Sequence, residues 1–232
     1  MVDALTRASV IPDLVKLIMA VDRPHPVRVG IDGFSAAGKT TLADELTSPI
    51  EERGRSALRA SLDDFKLPVV RRGRYPSGTP EEYYYEMYDH QAIRAELLEP
   101  LGPDGSRRFR TATFDQRRQA AVPVMRVTAT DDAIMLVDGV FLYRPELNDL
   151  WDFRIFVDID FELVLERGSR RDQAWMDSLA AAEDRYRNRY IPGEKIYLEA
   201  VRPHEHADVV VDNRDLRYPR LQAPSVREKG AG

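Results

Sequence analysis

The densest chemistry in this sequence lies in Gly33-Phe34-Ser35-Ala36-Ala37-Gly38-Lys39-Thr40, which spells Gly-x4-Gly-Lys-Thr. In a loop of this spacing the glycines let the backbone curl until successive N–H groups point inward at an anion, and the lysine reaches the β- and γ-phosphates of a nucleoside triphosphate. The Thr40 hydroxyl suits Mg²⁺, while Thr41 supports the helix start or the α-phosphate. A plain two-glycine turn needs neither the Lys-Thr pair nor its position between a strand and a helix. The loop therefore predicts a nucleoside triphosphate with Mg²⁺, held around Gly33, Ser35, Ala36, Ala37, Gly38, Lys39, Thr40 and Thr41.

Three acids stand where strands are expected to end. Asp63 and Asp64 follow Ala57-Leu58-Arg59-Ala60-Ser61-Leu62, and a carboxylate there can orient a hydroxyl and accept its proton during phosphoryl transfer; Asp63 is the candidate base. Asp138 closes the apolar run Ile134–Val137 in a position suited to a Mg²⁺-bound water, although an Asp-Gly turn would also use it. Asp32, at the junction of the first strand and the loop, is a candidate for the acceptor side or for capping the core edge. Arg167 and Arg171 are one helical turn apart, so both guanidinium groups can face one side and close over a transferring phosphate. Tyr84 and Tyr88, four apart, could wall an acceptor cavity. Lys66, with Arg71, Arg72 and Arg74 nearby, could receive an anionic acceptor or simply solvate a loop.

The elements that must position these groups are legible from the hydropathy pattern. Residues 26–33 read as a strand running into the loop, with a helix directly after it. Ala57–Phe65 reads as a second strand, 69–78 as a loop, and Thr79-Pro80-x-Glu82 as a capping box opening one or two helices broken near Asp89. The runs at 133–139, 152–160 and 207–213 are nearly continuous in apolar residues, as strands covered by helices on both faces should be. Residues 161–193 read as one long arginine-rich helix. The predicted fold is α/β: a three-layer α/β/α domain with an open, mostly parallel sheet and a helical lid. Its expected parts are an N-terminal helix at 1–24, the main domain at 25–216 and a tail at 217–232. Within the main domain, 104–121 is an excursion over the acceptor site and 161–192 the lid.

The 232 residues carry 34 Lys and Arg against 39 Asp and Glu, a net charge of -5, with no cysteine. That excludes disulfides and thiolate chemistry and gives no general attraction for a polyanion, so no nucleic-acid partner is expected. No run reaches the length of a membrane span, so the expectation is a soluble cytoplasmic protein acting on a small molecule. Assembly into a homo-oligomer is compatible with this composition.

Gly30–Leu46, Ser61-Leu62-Asp63-Asp64-Phe65, Leu136–Leu142, Glu166–Asp172 and Ala207–Asn213, in this order and spacing, resemble the uridine kinase / phosphoribulokinase / pantothenate kinase group of P-loop kinases over about residues 25 to 213. The resemblance implies transfer of a phosphoryl group from ATP-Mg²⁺ to a hydroxyl of a small metabolite, often a nucleoside. It places the catalytic aspartate on Asp63, the lid arginines on Arg167 and Arg171, and the acidic residue after the fourth strand on Asp138. Two departures stand out. Lys66 occupies a position where uridine-cytidine kinases carry tyrosine, and Phe109 and Phe114 replace the tyrosine and histidine of a segment that contacts the nucleoside. Hydrogen bonds that would read a pyrimidine are thereby lost, so the resemblance carries phosphoryl transfer but not uridine specificity. A non-nucleoside acceptor, such as pantothenate, a sugar or an anionic metabolite, is the alternative. A nucleotide-dependent switch is a further one, although no guanine-reading Asn-Lys-x-Asp run occurs.

Overall fold

The computed structural model of the chain describes residues 7–115 and 118–223. Helix α1 (Arg7–Met19) precedes β1 (Val27–Gly33), and α2 (Lys39–Glu51) leaves the phosphate loop. β2 (Ala57–Ser61) runs into a 3-10 turn at Leu62–Phe65. Helix α3 (Pro80–Glu86) starts on Thr79, whose side chain accepts the Glu82 N–H at 3.2 Å. Asp89 breaks this region by capping α4 (His90–Ala92), which continues as π-helix through Leu98. β3 (Arg108–Phe109), β4 (Phe114–Asp115), β5 (Ala120–Ala121) and β6 (Val127–Thr128) form two short antiparallel ribbons, β3 with β6 and β4 with β5. β7 (Ile134–Asp138) and β8 (Phe153–Asp158) return to the main sheet. Then come α5 (Phe161–Asp172), α6 (Leu179–Arg185), a π-helical turn at Tyr186–Tyr190, α7 (Ile191–Val201), α8 (Pro203–His206), β9 (Val209–Asp212) and β10 (Arg220–Gln222).

The main sheet has the order β10-β9-β8-β1-β7-β2, and only β10 is antiparallel to its neighbour. Every residue of β1 and β7 is buried, because helices cover both faces, and this is why these strands read as unbroken apolar runs. The packing of Val29, Ile31, Leu136, Val137, Ile155 and Val157 makes the centre of the core. β1 lies between β7 and β8, so the chain reverses its direction of winding there and leaves a crevice beyond the carboxyl ends of the strands. Register sets the heights of the site residues: Ile31 and Ser61 both pair with Asp138, and Gly33 pairs with Val157. Among the described residues no helix is long and apolar enough to cross a membrane.

Three sequence expectations are corrected. The second strand stops at Ser61, whose hydroxyl accepts the Asp63 N–H and turns the chain, so Asp63 and Asp64 lie on a 3-10 turn beyond the strand. The long helix expected over 161–193 is interrupted after Asp172: Asp177 takes a left-handed conformation and Ser178 caps a new helix by accepting the Ala181 N–H. Residues 220–222, within the expected tail, instead add β10 to the sheet edge. The remainder of that tail from 224, together with residues 1–6 of the N-terminal helix expectation and 116–117 of the excursion, lies outside the described residues.

Candidate active site

The phosphate loop is made by a strand that cannot continue. A Cβ on Gly33 would stand 2.3 Å from the Val157 carbonyl oxygen, and Gly38 has φ +94, a conformation that side chains disfavour. The chain therefore bends tightly from β1 into α2. Lys39 is buried on the first turn of α2, and its Nζ donates to the Phe34 carbonyl at 2.7 Å. Burial pulls the Lys39 ammonium below its usual range, while Glu194, Asp32, Asp138 and Asp63 oppose that shift. Asn213, just past β9, ties the loop from the far side by donating to the Ala37 carbonyl at 2.6 Å.

Thr40 and Asp138 meet as their strand and helix positions require. The Thr40 hydroxyl donates to Asp138 Oδ2 at 2.6 Å, and Arg59 of β2 donates to Asp138 Oδ1 at 3.0 Å. A hydroxyl and a carboxylate in contact, both hard oxygen donors beside a phosphate loop, fit Mg²⁺, which is typically held by one or two such groups and by substrate phosphates.

Opposite the loop, a cleft of about 540 Å³ opens between Ser35, Lys39, Thr40 and Asp138 on one wall and Asp63, Lys66, Tyr83, Tyr88 and Phe114 on the other. The turn carrying Asp63 is laced to the end of α3 by backbone bonds from Leu67 to Met87 and from Asp89 to Phe65, which bring Lys66 beside Tyr88. Asp63 Oδ1 thus accepts the Tyr88 hydroxyl at 3.1 Å and pairs with Lys66 Nζ at 3.0 Å. Desolvation by the cleft walls pushes the Asp63 carboxyl up, but Lys66 and the Tyr88 hydrogen bond outweigh it and hold the group below the ordinary carboxylate value. Asp63 is therefore ionised near neutrality. Asp64 goes the other way, raised by burial and by its neighbour Asp63.

The other expected residues divide. Phe114 lines the cleft, whereas Phe109 is buried in the core and does not. Tyr84 is turned away beneath the Arg144 guanidinium, 4.4 Å from its ring, and Tyr83 takes the wall position instead, its hydroxyl 3.4 Å from Ser35 Oγ. The kink after Glu86 explains this: Tyr88 no longer follows helical spacing from Tyr84. Asp32 is also off the cleft. It is fully buried, accepts the Gly33 N–H at 2.7 Å and the Tyr197 hydroxyl, and burial raises its carboxyl to about 6.

Arg171 lines the cleft, clamped by Asp172 at 2.7 Å and donating to the Tyr186 hydroxyl at 3.2 Å. Arg167 faces elsewhere, donating to the carbonyls of Asn213 and Arg214, so the two guanidinium groups do not share a side. Arg185 and Arg189, one turn apart beyond the helix break, line the cleft with Arg171. The sequence places them in the same arginine-rich segment, but the pairing read from it is Arg167 with Arg171, although the i, i+4 spacing of Arg185 and Arg189 offers the same signal. Sequence reasoning missed Glu82, which is 3% exposed and holds Arg72 at 2.9 Å and Arg189 at 2.8 Å. Glu194 was missed as well: its Oε1 accepts the Ser35 N–H at 2.7 Å from α7, and no local pattern marks it.

Residues 28–209 match the phosphoribulokinase / uridine kinase family. The chain belongs to that family. It is therefore a P-loop kinase, a phosphotransferase, and the family's use of a nucleoside triphosphate goes with the loop described above. Among curated relatives it is similar to a uridine kinase of Chlamydia pneumoniae, 30% identical over 188 residues, covering 79% of this chain and 80% of that protein. A uridine kinase of Aliivibrio fischeri (strain MJ11) is 26% identical over 200 residues, covering 81% and 86%. Among solved structures, a possible uridine kinase from Bacillus stearothermophilus superposes with TM-score 0.69 at 27% identity, covering 87% of this chain and 97% of that one. A putative fructose transport system kinase from Silicibacter sp. TM1040 shares the fold, with TM-score 0.67 at 21% identity and coverage of 82% and 94%.

Proposed function

We propose that this kinase transfers the γ-phosphoryl group of ATP to a hydroxyl of a small, nucleoside-like metabolite. The observation that carries the reading is the placement of the Asp63 carboxylate across one cleft from Lys39 and the Thr40–Asp138 pair. The loop backbone and Lys39 bind and orient the phosphates. Thr40 and Asp138 would hold Mg²⁺, which neutralises charge on the phosphates when bound. Asp63, kept ionised by Lys66 and aimed by Tyr88, accepts the acceptor hydroxyl's proton as the bond to phosphorus forms. Arg171, with Arg185 and Arg189, supplies positive charge above the phosphates and excludes water that would compete as acceptor. Tyr83, Tyr88 and Phe114 line the cleft with aromatic side chains, and the relatives named uridine kinase support a nucleoside-like acceptor.

A second reading concerns the acceptor alone. Arg72, Glu82 and Arg189 form a buried, interlocked group carrying one net positive charge on the cleft wall, and Lys66 stands nearby. That arrangement favours an acceptor bearing a carboxylate or phosphate. Incubation with ATP-Mg²⁺ and pooled nucleosides, sugars, sugar phosphates and hydroxy acids, read by mass spectrometry, separates the two. Gain of one phosphoryl group on a neutral nucleoside supports the first reading and gain on an anionic acceptor the second. ADP formation that ignores every acceptor would contradict both.

A further inference from the structure

Glu194 lies in the first turn of α7, directly after the arginine-bearing π-helical turn. Gly193 allows this helix to lie against α3, since a Cβ there would stand 2.7 Å from the Tyr83 ring, and the approach drives the Glu194 side chain into the phosphate loop. The residue is 0% exposed. One carboxyl oxygen accepts the Ser35 N–H; the other, Oε2, is shut from solvent and has no hydrogen-bond partner among the described residues. The charged groups facing it are Lys39, which attracts, and Asp32, which repels. The phenols of Tyr83, Tyr88 and Tyr186, from α3, the following turn and the π-helical turn, feel the charge of Glu194, and all three are pushed up by burial and stay neutral.

We propose that Glu194 is a positioning residue of the phosphate loop which gives up its negative charge, by taking a proton from solvent onto Oε2, when a nucleoside triphosphate enters. The inference rests on the reading that the loop holds a triphosphate. Of the carboxylates around Lys39, Asp138 is also held by Arg59 and Asp63 by Lys66, which leaves Lys39 facing Glu194 and Asp32, and a triphosphate adds further negative charge to the same space while drawing the ammonium toward itself. A buried carboxylate with an unpaired oxygen beside a phosphate is strongly disfavoured, whereas a carboxylic acid keeps its acceptor oxygen on Ser35 and gains a donor at the oxygen that lacks a partner. Burial already raises Glu194 to about 7, so the proton is available near neutrality at little cost. Because Glu194 sits where the lid segment joins α7, its bond to Ser35 also ties loop position to the lid's base.

The test is titration calorimetry of the full chain with ATP-Mg²⁺, without acceptor, in pairs of buffers that differ in ionisation enthalpy. At pH 8 the wild type should take up about half a proton or more on binding, and its affinity should fall correspondingly, by about threefold to tenfold per pH unit around pH 8. Glu194→Gln keeps an oxygen for the Ser35 N–H but cannot ionise, so its affinity at pH 7 should stay within about threefold of wild type while the uptake and the pH slope vanish. Glu194→Ala should bind weakly at every pH. Equal proton uptake in wild type and E194Q, or none in either, would overturn the proposal while leaving nucleotide binding intact. Should E194Q fail to fold, the wild-type slope decides alone, a flat profile from pH 7 to 9 being contradictory. Absence of ATP binding by the wild type at any pH would instead remove the nucleotide reading itself, and this inference with it.

Discussion

Apart from Asp138 at the end of β7, the phosphate-loop wall of the cleft comes from eight consecutive residues on one strand-to-helix turn, whereas the opposite wall joins the Asp63 turn, α3, a short ribbon and the segment before α7, with Glu82 and Arg189 meeting across 107 residues of sequence. The first wall presents backbone N–H groups, one lysine and a hydroxyl, so its chemistry is fixed by covalent connection and loop conformation. The second presents side chains held by other side chains: Lys66 and Tyr88 on Asp63, Arg72 and Arg189 on Glu82, Asp172 on Arg171. A wall of the first kind is common to many kinases, because it reads only phosphates. One of the second kind can be rebuilt by single substitutions and is where acceptor choice resides.

That contrast predicts unequal responses to mutation. Lys39→Met should lower turnover on the order of 10³-fold with little change in melting temperature, since Nζ donates to the carbonyl of Phe34 within its own loop. If turnover survived, the phosphate-loop wall would not be the donor side. Glu82→Gln should behave in the opposite way, strongly destabilising the fold by about 3 kcal/mol in urea denaturation, because Arg72 and Arg189 are left buried without their counter-charge. A loss below about 1 kcal/mol would show that the ion network does not hold this wall together.

A smaller effect separates Glu194 from the exposed carboxylates. Its folded-state value, about 7, lies above the ordinary 4.5, so the folded protein holds this proton more tightly and loses stability as pH rises from about 4.5 to 7. Asp32, raised to about 6, acts in the same direction over a lower window. E194Q should therefore gain stability relative to wild type across that window, by roughly 3 kcal/mol at most; parallel pH profiles for the two proteins would contradict the burial argument. The smallest contrast is between two tyrosines four residues apart, one on α3 and one just beyond its end. Tyr88→Phe should cut turnover by about tenfold or less through lost aim on Asp63, while Tyr84→Phe should leave turnover unchanged, because the Tyr84 ring sits under Arg144 away from the cleft.

How much of this was legible in the sequence follows the same division. The loop, the buried central strands and the acids after β2 and β7 were readable because each is a local pattern: contiguous residues, an apolar run, a turn residue. Tyr84 misled because helical spacing was assumed to run through Glu86, where the chain kinks and exchanges it for Tyr83. Arg167 misled because two carbonyls beyond β9, more than forty residues away, claim its guanidinium. Phe109 was drawn into the core by its ribbon, and Asp32 was enclosed by Tyr197 from α7. Glu194 could not have been found at all, since its burial depends on Gly193 admitting α7 against Tyr83. Local chemistry announces itself; side chains recruited across the fold do not.

The central claim is that Asp63 serves the transfer step and not nucleotide binding. Asp63→Asn, which keeps the size of the side chain and an acceptor oxygen for Tyr88, should bind ATP-Mg²⁺ within about threefold of wild type and form phosphorylated acceptor on the order of 10²-fold more slowly. Turnover close to that of the wild type, measured with the acceptor identified by mass spectrometry, would contradict the account.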